Sequence, residues 1–162
     1  MLILDEPTSG LDPAVRRSFL ESMVDRAAAG QTVFLGSHQI HEVERIADWV
    51  AILHQGKVQI VAPLEDLKCN LTMLCFAQRD PLLALPASLA ELDVLASTHS
   101  GRAGQWLVRG LDASLVDSLS SDPNLIDVKA YRPNLEELYL AFTQSCAVAD
   151  QSFDSTALPR AV

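Results

Sequence analysis

Leu2-Ile3-Leu4-Asp5-Glu6-Pro7-Thr8-Ser9-Gly10-Leu11-Asp12 is the stretch on which the fold turns. With Met1 it opens as a continuous apolar run that ends in two acids. A strand buried on both faces reads this way where it emerges at the ligand edge of a parallel sheet. Asp12 can cap a following helix and Pro13 suits its first position. Val15, Phe19, Met23 and Ala27 then recur every four residues until Gly30 stops the pattern. Thr32 to Leu35 reads as a second buried strand, Gly36-Ser37-His38 as a turn, and Ile40, Val43, Ile46 and Ala47 as the inner face of a second helix. The alternation strand, helix, strand, helix predicts an α/β layer with a parallel sheet.

Beyond it, Trp49 to Leu53 and Val58 to Val61 flank His54-Gln55-Gly56-Lys57 and predict a hairpin at the end of the sheet. Pro63 to Lys68 is a short helical connection, and a domain boundary is expected near Lys68. Residues 69–144 then read as a small α+β domain. Its strand candidates are Leu71 to Ala77, Asp93 to Ser97, Trp106 to Arg109 and Ile126 to Tyr131, with helices over Leu82 to Leu92 and Ala113 to Leu119. That order, β-α-β-β-α-β, would make a ferredoxin-like sandwich, although Pro86 interrupts its first helix. Asn134 starts a final helix with Glu137 in the capping-box position and Leu135, Leu138 and Phe142 on one face. From Ser145 to the end a disordered tail is expected.

Composition narrows the function. The chain has 162 residues, 49% hydrophobic and 20% charged, which is the balance of a globular protein with a packed core. Its formal charge is -9, and neither part forms a basic patch, which argues against nucleic-acid binding through phosphates. No run approaches the ~18 apolar residues of a membrane-spanning helix, and no charged leader precedes the first apolar segment, so a soluble, unsecreted chain without direct membrane insertion is expected. Cys69, Cys75 and Cys146 lack metal-type spacing and read as thiols in a reducing compartment, packed as small core residues.

In an open α/β sheet, ligands bind beyond the carboxyl ends of the strands, where Asp5 and Glu6 stand. Adjacent strand residues point to opposite sides, which gives the two acids different tasks. The first carboxylate can hold Mg²⁺ directly or through water, and the second can orient or deprotonate a water that attacks a γ-phosphate. Asp5-Glu6 together with Pro7-Thr8-Ser9-Gly10-Leu11-Asp12-Pro13 resembles, residue for residue, the Walker B and D-loop segment of ABC-transporter ATPases. Ser37-His38, one helix and one strand later, resembles that family's H-loop with its switch histidine.

The resemblance continues through Glu42 to Leu53 and Gly56-Lys57, covering about the first seventy residues, and Pro133 to Leu140 looks like the close of C-terminal extensions in drug- and polysaccharide-exporter ATPases. It implies the C-terminal part of a P-loop (RecA-like) sheet layer over residues 1–68. It further implies Glu6 and His38 as catalytic, Asp5 as the Mg²⁺ site, and Asp5, Ser9 and Asp12 as nucleotide-facing positions. Asp12 would also reach a second ATPase domain. ATP and Mg²⁺ are the implied cofactors. The implied partners are that second domain and a transmembrane permease, with a cytoplasmic place at the membrane through the permease. His41, His54 and His99 have no such context and read as surface or packing residues.

Three motifs of the family are missing from these residues. None of the seven glycines lies in a Gly-Lys-Ser/Thr loop able to cradle phosphates, and the Q-loop and signature motif are also absent. Those segments precede Walker B in the family, so an N-terminally truncated subunit is expected, marginally folded by itself and weak in binding MgATP. A non-catalytic module that binds a transporter or sibling ATPase through the later residues is the alternative. A soluble ABC-type ATPase of DNA repair or translation is a third reading, against which the acidic charge and exporter-like tail weigh.

Overall fold

The computed structural model describes residues 1–90 and 92–144, which form a mixed α/β structure. The expected tail from Ser145, with Cys146, lies outside the described residues. The chain divides into two compact units: Met1–Leu71 with Arg132–Tyr139, and Thr72–Tyr131 with the described residues that follow Tyr139.

In the first unit, β1 (Leu2–Asp5) pairs in parallel with β2 (Val33–Gly36), with Leu2 opposite Val33 and Asp5 opposite Gly36. The crossover is α1 (Pro13–Ala28). Its start follows from sequence: Asp12 accepts from the Ala14 and Val15 amides at 3.0 and 3.1 Å, and Pro13 occupies the first turn. Its end is Gly30, in the left-handed region at φ +83, donating back to the Ala27 carbonyl.

The buried stripe of α1 differs from the expected one. Leu20 and Met23 are buried and Arg16 and Phe19 half-buried, whereas Val15 and Ala27 are exposed. A helix advances about 100° per residue, so a strict four-residue repeat drifts about 40° at each step and leaves any one face. The spacing 16, 19, 20, 23 stays on it.

The expectation that the first two strands are covered on both faces also fails. Ile3 is 64% and its partner Phe34 59% exposed, so one face of this pair is open among the described residues.

After α2 (Ile40–Ile46), β3 (Trp49–His54) and β4 (Lys57–Pro63) form an antiparallel hairpin. Gln55 and Gly56 both have positive φ, +50 and +74, as a tight hairpin turn matched to strand twist requires. The hairpin makes a two-stranded sheet of its own instead of closing the first. α3 (Leu64–Asn70) buries Leu64 and Leu67.

The second unit has one four-stranded sheet, in the order β6-β7-β5-β8, built from β5 (Leu71–Gln78), β6 (Asp93–Ser100), β7 (Ala103–Arg109) and β8 (Leu125–Tyr131). α4 (Ala87–Ala90) precedes β6, and α5 (Ala113–Ser120) precedes β8. The helix expected over Leu82 to Leu92 shrinks to α4. Pro86 has no N–H to donate and disfavours helical backbone at the residue before it, so the helix begins only after Pro86. The preceding residues instead turn on Asp80, whose carboxylate accepts from the Leu82 amide at 2.9 Å.

Leu74, Phe76, Leu89, Val108, Leu119 and Leu125 form one buried cluster. Gly104 lets β7 lie against the Phe76 ring: a Cβ there would stand 2.5 Å from the ring. Trp106 meets the same ring edge-on at 5.3 Å and donates its indole N–H to His99 at 3.1 Å.

The last helix, α6 (Leu135–Gln144), starts in a reciprocal capping box. The Asn134 amide donates to Glu137 Oε2 at 2.9 Å and the Glu137 amide to Asn134 Oδ1 at 2.8 Å. Of the cysteines expected in the core, Cys69 is exposed and Cys75 half-buried. Cys69 is the last residue but one of α3, on its solvent side.

Candidate functional site

β1 ends at Asp5, and the chain turns at once. The Glu6 amide still donates to the Gly36 carbonyl at 2.8 Å, extending the ladder by one bond, but Glu6 itself has φ +47. A non-glycine residue in the left-handed region costs about 1 kcal/mol or more, and such strain concentrates at functional positions. The simple alternation expected for Asp5 and Glu6 therefore does not apply, because Glu6 has left extended backbone. Two overlapping turns follow, from the Ser9 amide to the Glu6 carbonyl at 3.1 Å and from the Leu11 amide to the Thr8 carbonyl at 3.2 Å, with Gly10 at φ +76.

The turn aims Glu6 at the residue that leaves β2. Glu6 Oε1 accepts a hydrogen bond from the His38 backbone amide at 2.7 Å and lies 2.7 Å from His38 Nδ1, within ion-pair distance of the imidazole. The imidazole remains 72% exposed. Glu6 Oε2 is buried and has no hydrogen-bond partner. A buried carboxylate oxygen left unpaired is costly, so this one is ready to accept from a water or a hydrated ligand. Asp5, exposed beside it, owes its room to Gly36: a Cβ at Gly36 would stand 3.0 Å from Asp5 Oδ1.

Asp5, Glu6 and His38 thus meet at one edge, the carboxyl ends of two parallel strands. Neither the Ser9 nor the Asp12 side chain is bonded to that edge: Ser9 is exposed in the loop, held only through its amide to the Glu6 carbonyl, and the Asp12 carboxylate is engaged in capping α1.

Sequence reading missed four residues that brace this edge. Thr8, 1% exposed, donates its hydroxyl to Glu42 Oε2 at 3.1 Å. Arg16 meets Glu42 Oε1 at 3.1 Å, Gln39 Oε1 at 2.9 Å and the Leu11 carbonyl at 3.2 Å. The available signals were slight: Arg16 stands on the buried stripe of α1, and Glu42 one helical turn beyond His38. Their meeting is a product of the β1-α1-β2 crossover.

The oxygen donors suit a hard divalent cation, and Mg²⁺ is commonly held by one or two carboxylates with phosphates and waters completing its shell. Among the described residues no group of three or more His, Cys, Asp or Glu could cage a metal. The exposed Asp5 carboxylate fits one ligand position of such an ion, and the other ligands must come from outside these side chains.

No protein-family model matches the chain. Individual relatives do. It is 39% identical over 99 residues to the energy-coupling factor transporter ATP-binding protein EcfA2 of Symbiobacterium thermophilum, covering 59% of this chain and 32% of that one. It is 28% identical over 161 residues to the linearmycin resistance ATP-binding protein LnrL of Bacillus subtilis, covering 88% and 49%. With the Nod factor export ATP-binding protein I of Rhizobium meliloti it shares 31% identity over 158 residues, covering 88% and 42%. The chain therefore spans less than half the length of each of these relatives.

Proposed function

The chain belongs with the ATP-binding proteins of ABC transporters, to which it is related over up to 88% of its length, and from that premise we propose that its β1-β2 edge is half of an ATP-hydrolysing site that energises transport. The observation that carries the proposal is the double contact of His38 with Glu6 Oε1, an amide hydrogen bond and a 2.7 Å approach of Nδ1, which joins the ends of two parallel strands beside Asp5. On this reading residues 1–68 are the C-terminal part of a P-loop ATPase domain and residues 69–144 a small ferredoxin-like accessory domain.

Each residue has a defined task. Asp5 holds Mg²⁺ directly or through water. Glu6 uses its unpaired Oε2 to orient the attacking water and take up its proton, while His38 holds Oε1 in place and presents its exposed ring to the γ-phosphate. Mg²⁺, when bound, neutralises charge developing on the phosphates. Ser9 and Asp12 face the nucleotide and a second ATPase domain, and Asp12 keeps its cap bonds while doing so. The backbone amides and lysine that cradle phosphate are absent from these 162 residues, so they come from other sequence. A transmembrane permease is the other partner, with the ATPase on the cytoplasmic side. No helix among the described residues is long and apolar enough to cross a membrane.

The decisive experiment is Glu6→Gln in the complete ATP-binding protein that carries this sequence. It should retain ATP and lose turnover by at least about 100-fold, since the amide cannot accept the proton of the attacking water. Undiminished turnover would sink the assignment.

A further inference from the structure

Arg16 uses one guanidinium to tie together the two chain segments that leave the candidate catalytic pair. Glu6 is followed by Thr8, whose buried hydroxyl is bonded to Glu42 Oε2, and by Leu11, whose carbonyl accepts from Arg16 Nη2 at 3.2 Å. His38 is followed by Gln39, whose side-chain oxygen accepts from Arg16 Nη1 at 2.9 Å, and by Glu42, whose Oε1 meets the same nitrogen at 3.1 Å. The group is partly enclosed, with the Arg16 and Glu42 side chains 29% and 16% exposed and Arg16 Nε buried without a partner.

The geometry points to Arg16 as a positioning residue for hydrolysis, one that fixes the loop after Glu6 against the helix after His38 so that carboxylate and imidazole stay in register. The inference rests on reading Glu6 and His38 as the hydrolytic pair. The planar fork is what the task requires. Only a guanidinium can serve Glu42, Gln39 and a backbone carbonyl from one rigid plane, whereas lysine offers a point charge on a flexible stem. A Lys at this position still neutralises Glu42 but loses the link between loop and helix. Because small displacements of catalytic groups act on the transition state, the loss should fall on kcat and spare nucleotide binding.

The test is steady-state ATP hydrolysis by the complete ATP-binding protein, comparing Arg16→Lys and Arg16→Ala with Glu6→Gln. Arg16→Lys should lower kcat by roughly 10- to 100-fold with KM for MgATP unchanged within about twofold. Arg16→Ala should do the same or fail to fold, and Arg16→Lys then decides the matter. Glu42→Gln combined with Arg16→Lys should be no worse than the more severe single variant, as expected for one connected network. Wild-type kcat in Arg16→Lys, or a parallel loss in kcat and rise in KM, overturns the positioning role. If Glu6→Gln is inactive in the same assay, the hydrolytic reading survives that failure. Full turnover by Glu6→Gln overturns both.

Discussion

The two units solve the problem of burial differently. Thr72–Tyr131 assembles four strands into one sheet, and Leu74 and Val108 at its centre are 0% exposed. Met1–Leu71 divides its strands into two separate pairs and leaves Ile3 64%, Phe34 59%, Trp49 51% and Leu53 60% exposed. A two-stranded ribbon is marginal by itself in water, whereas three or more strands with an apolar face can sustain a core. The candidate-site residues Asp5, Glu6 and His38 are all in the thinly covered unit. Its sequence therefore specifies a site more fully than it specifies the packing that would hold that site rigid.

The largest expected effect tests this contrast directly. Leu74→Ala should destabilise the protein by about 2–5 kcal/mol, the range for a fully enclosed aliphatic side chain that leaves a cavity. Ile3→Ala, a truncation of similar size, should cost less than about 0.5 kcal/mol, because most of the side chain already meets solvent. Urea unfolding of both variants, followed by circular dichroism, measures the difference. Equal losses would mean that the Ile3 face is covered in solution, and the contrast between the units would collapse.

What the sequence disclosed follows the same division between local and distant causes. Asp12, Pro13 and Gly30 marked both ends of α1 because capping and left-handed backbone depend on neighbours in the chain. Asn134 and Glu137 marked α6 for the same reason. His38 was marked by its resemblance to a family's switch histidine, and the structure bonds its amide to Glu6. Exposure of Ile3 and Phe34 was not legible, since an apolar run states what a strand prefers to contact and not what covers it. The left-handed turn at Glu6 and the Thr8–Glu42–Arg16–Gln39 network were equally hidden, because each depends on a partner more than twenty residues away or on strain with no residue signature.

Two glycines sharpen the comparison at intermediate size. Gly104→Ala places a Cβ 2.5 Å from the Phe76 ring, enclosed in the core, and should cost about 1–3 kcal/mol from overpacking. Gly36→Ala places one 3.0 Å from Asp5 Oδ1, the end of an exposed side chain that can rotate away, and should cost less than about 1 kcal/mol. On the proposed function its effect appears elsewhere: the displaced carboxylate weakens the Mg²⁺ dependence of ATP hydrolysis. Thermal unfolding of both variants separates the cases. A Gly36→Ala variant as unstable as Gly104→Ala would show that the Asp5 edge is as tightly packed as the core of the second unit.

The smallest effect concerns a single thiol in the open unit. Cys69 donates to Glu65 Oε1 at 3.2 Å, one turn back along α3, and the carboxylate holds the thiol proton and pushes its pKa above the ordinary value. The sign of the consequence is fixed: a raised pKa lowers the thiolate fraction at any pH below it, and the thiolate is the reacting species. Despite its exposure, Cys69 should therefore be alkylated by iodoacetamide at pH 8 more slowly than an unperturbed cysteine in a short peptide. Glu65→Gln removes both the hydrogen-bonded carboxylate and its charge, and should bring the rate up towards the peptide value by a few-fold, with the gain shrinking as pH rises through the thiol's pKa. Peptide-resolved mass spectrometry of the alkylated chain reads the rate at Cys69 apart from that at Cys75. A wild-type rate already equal to the peptide's would mean that Glu65 does not hold the proton and that α3 leaves its solvent face unconstrained, which would extend the looseness of this unit from its sheet edges to its helices.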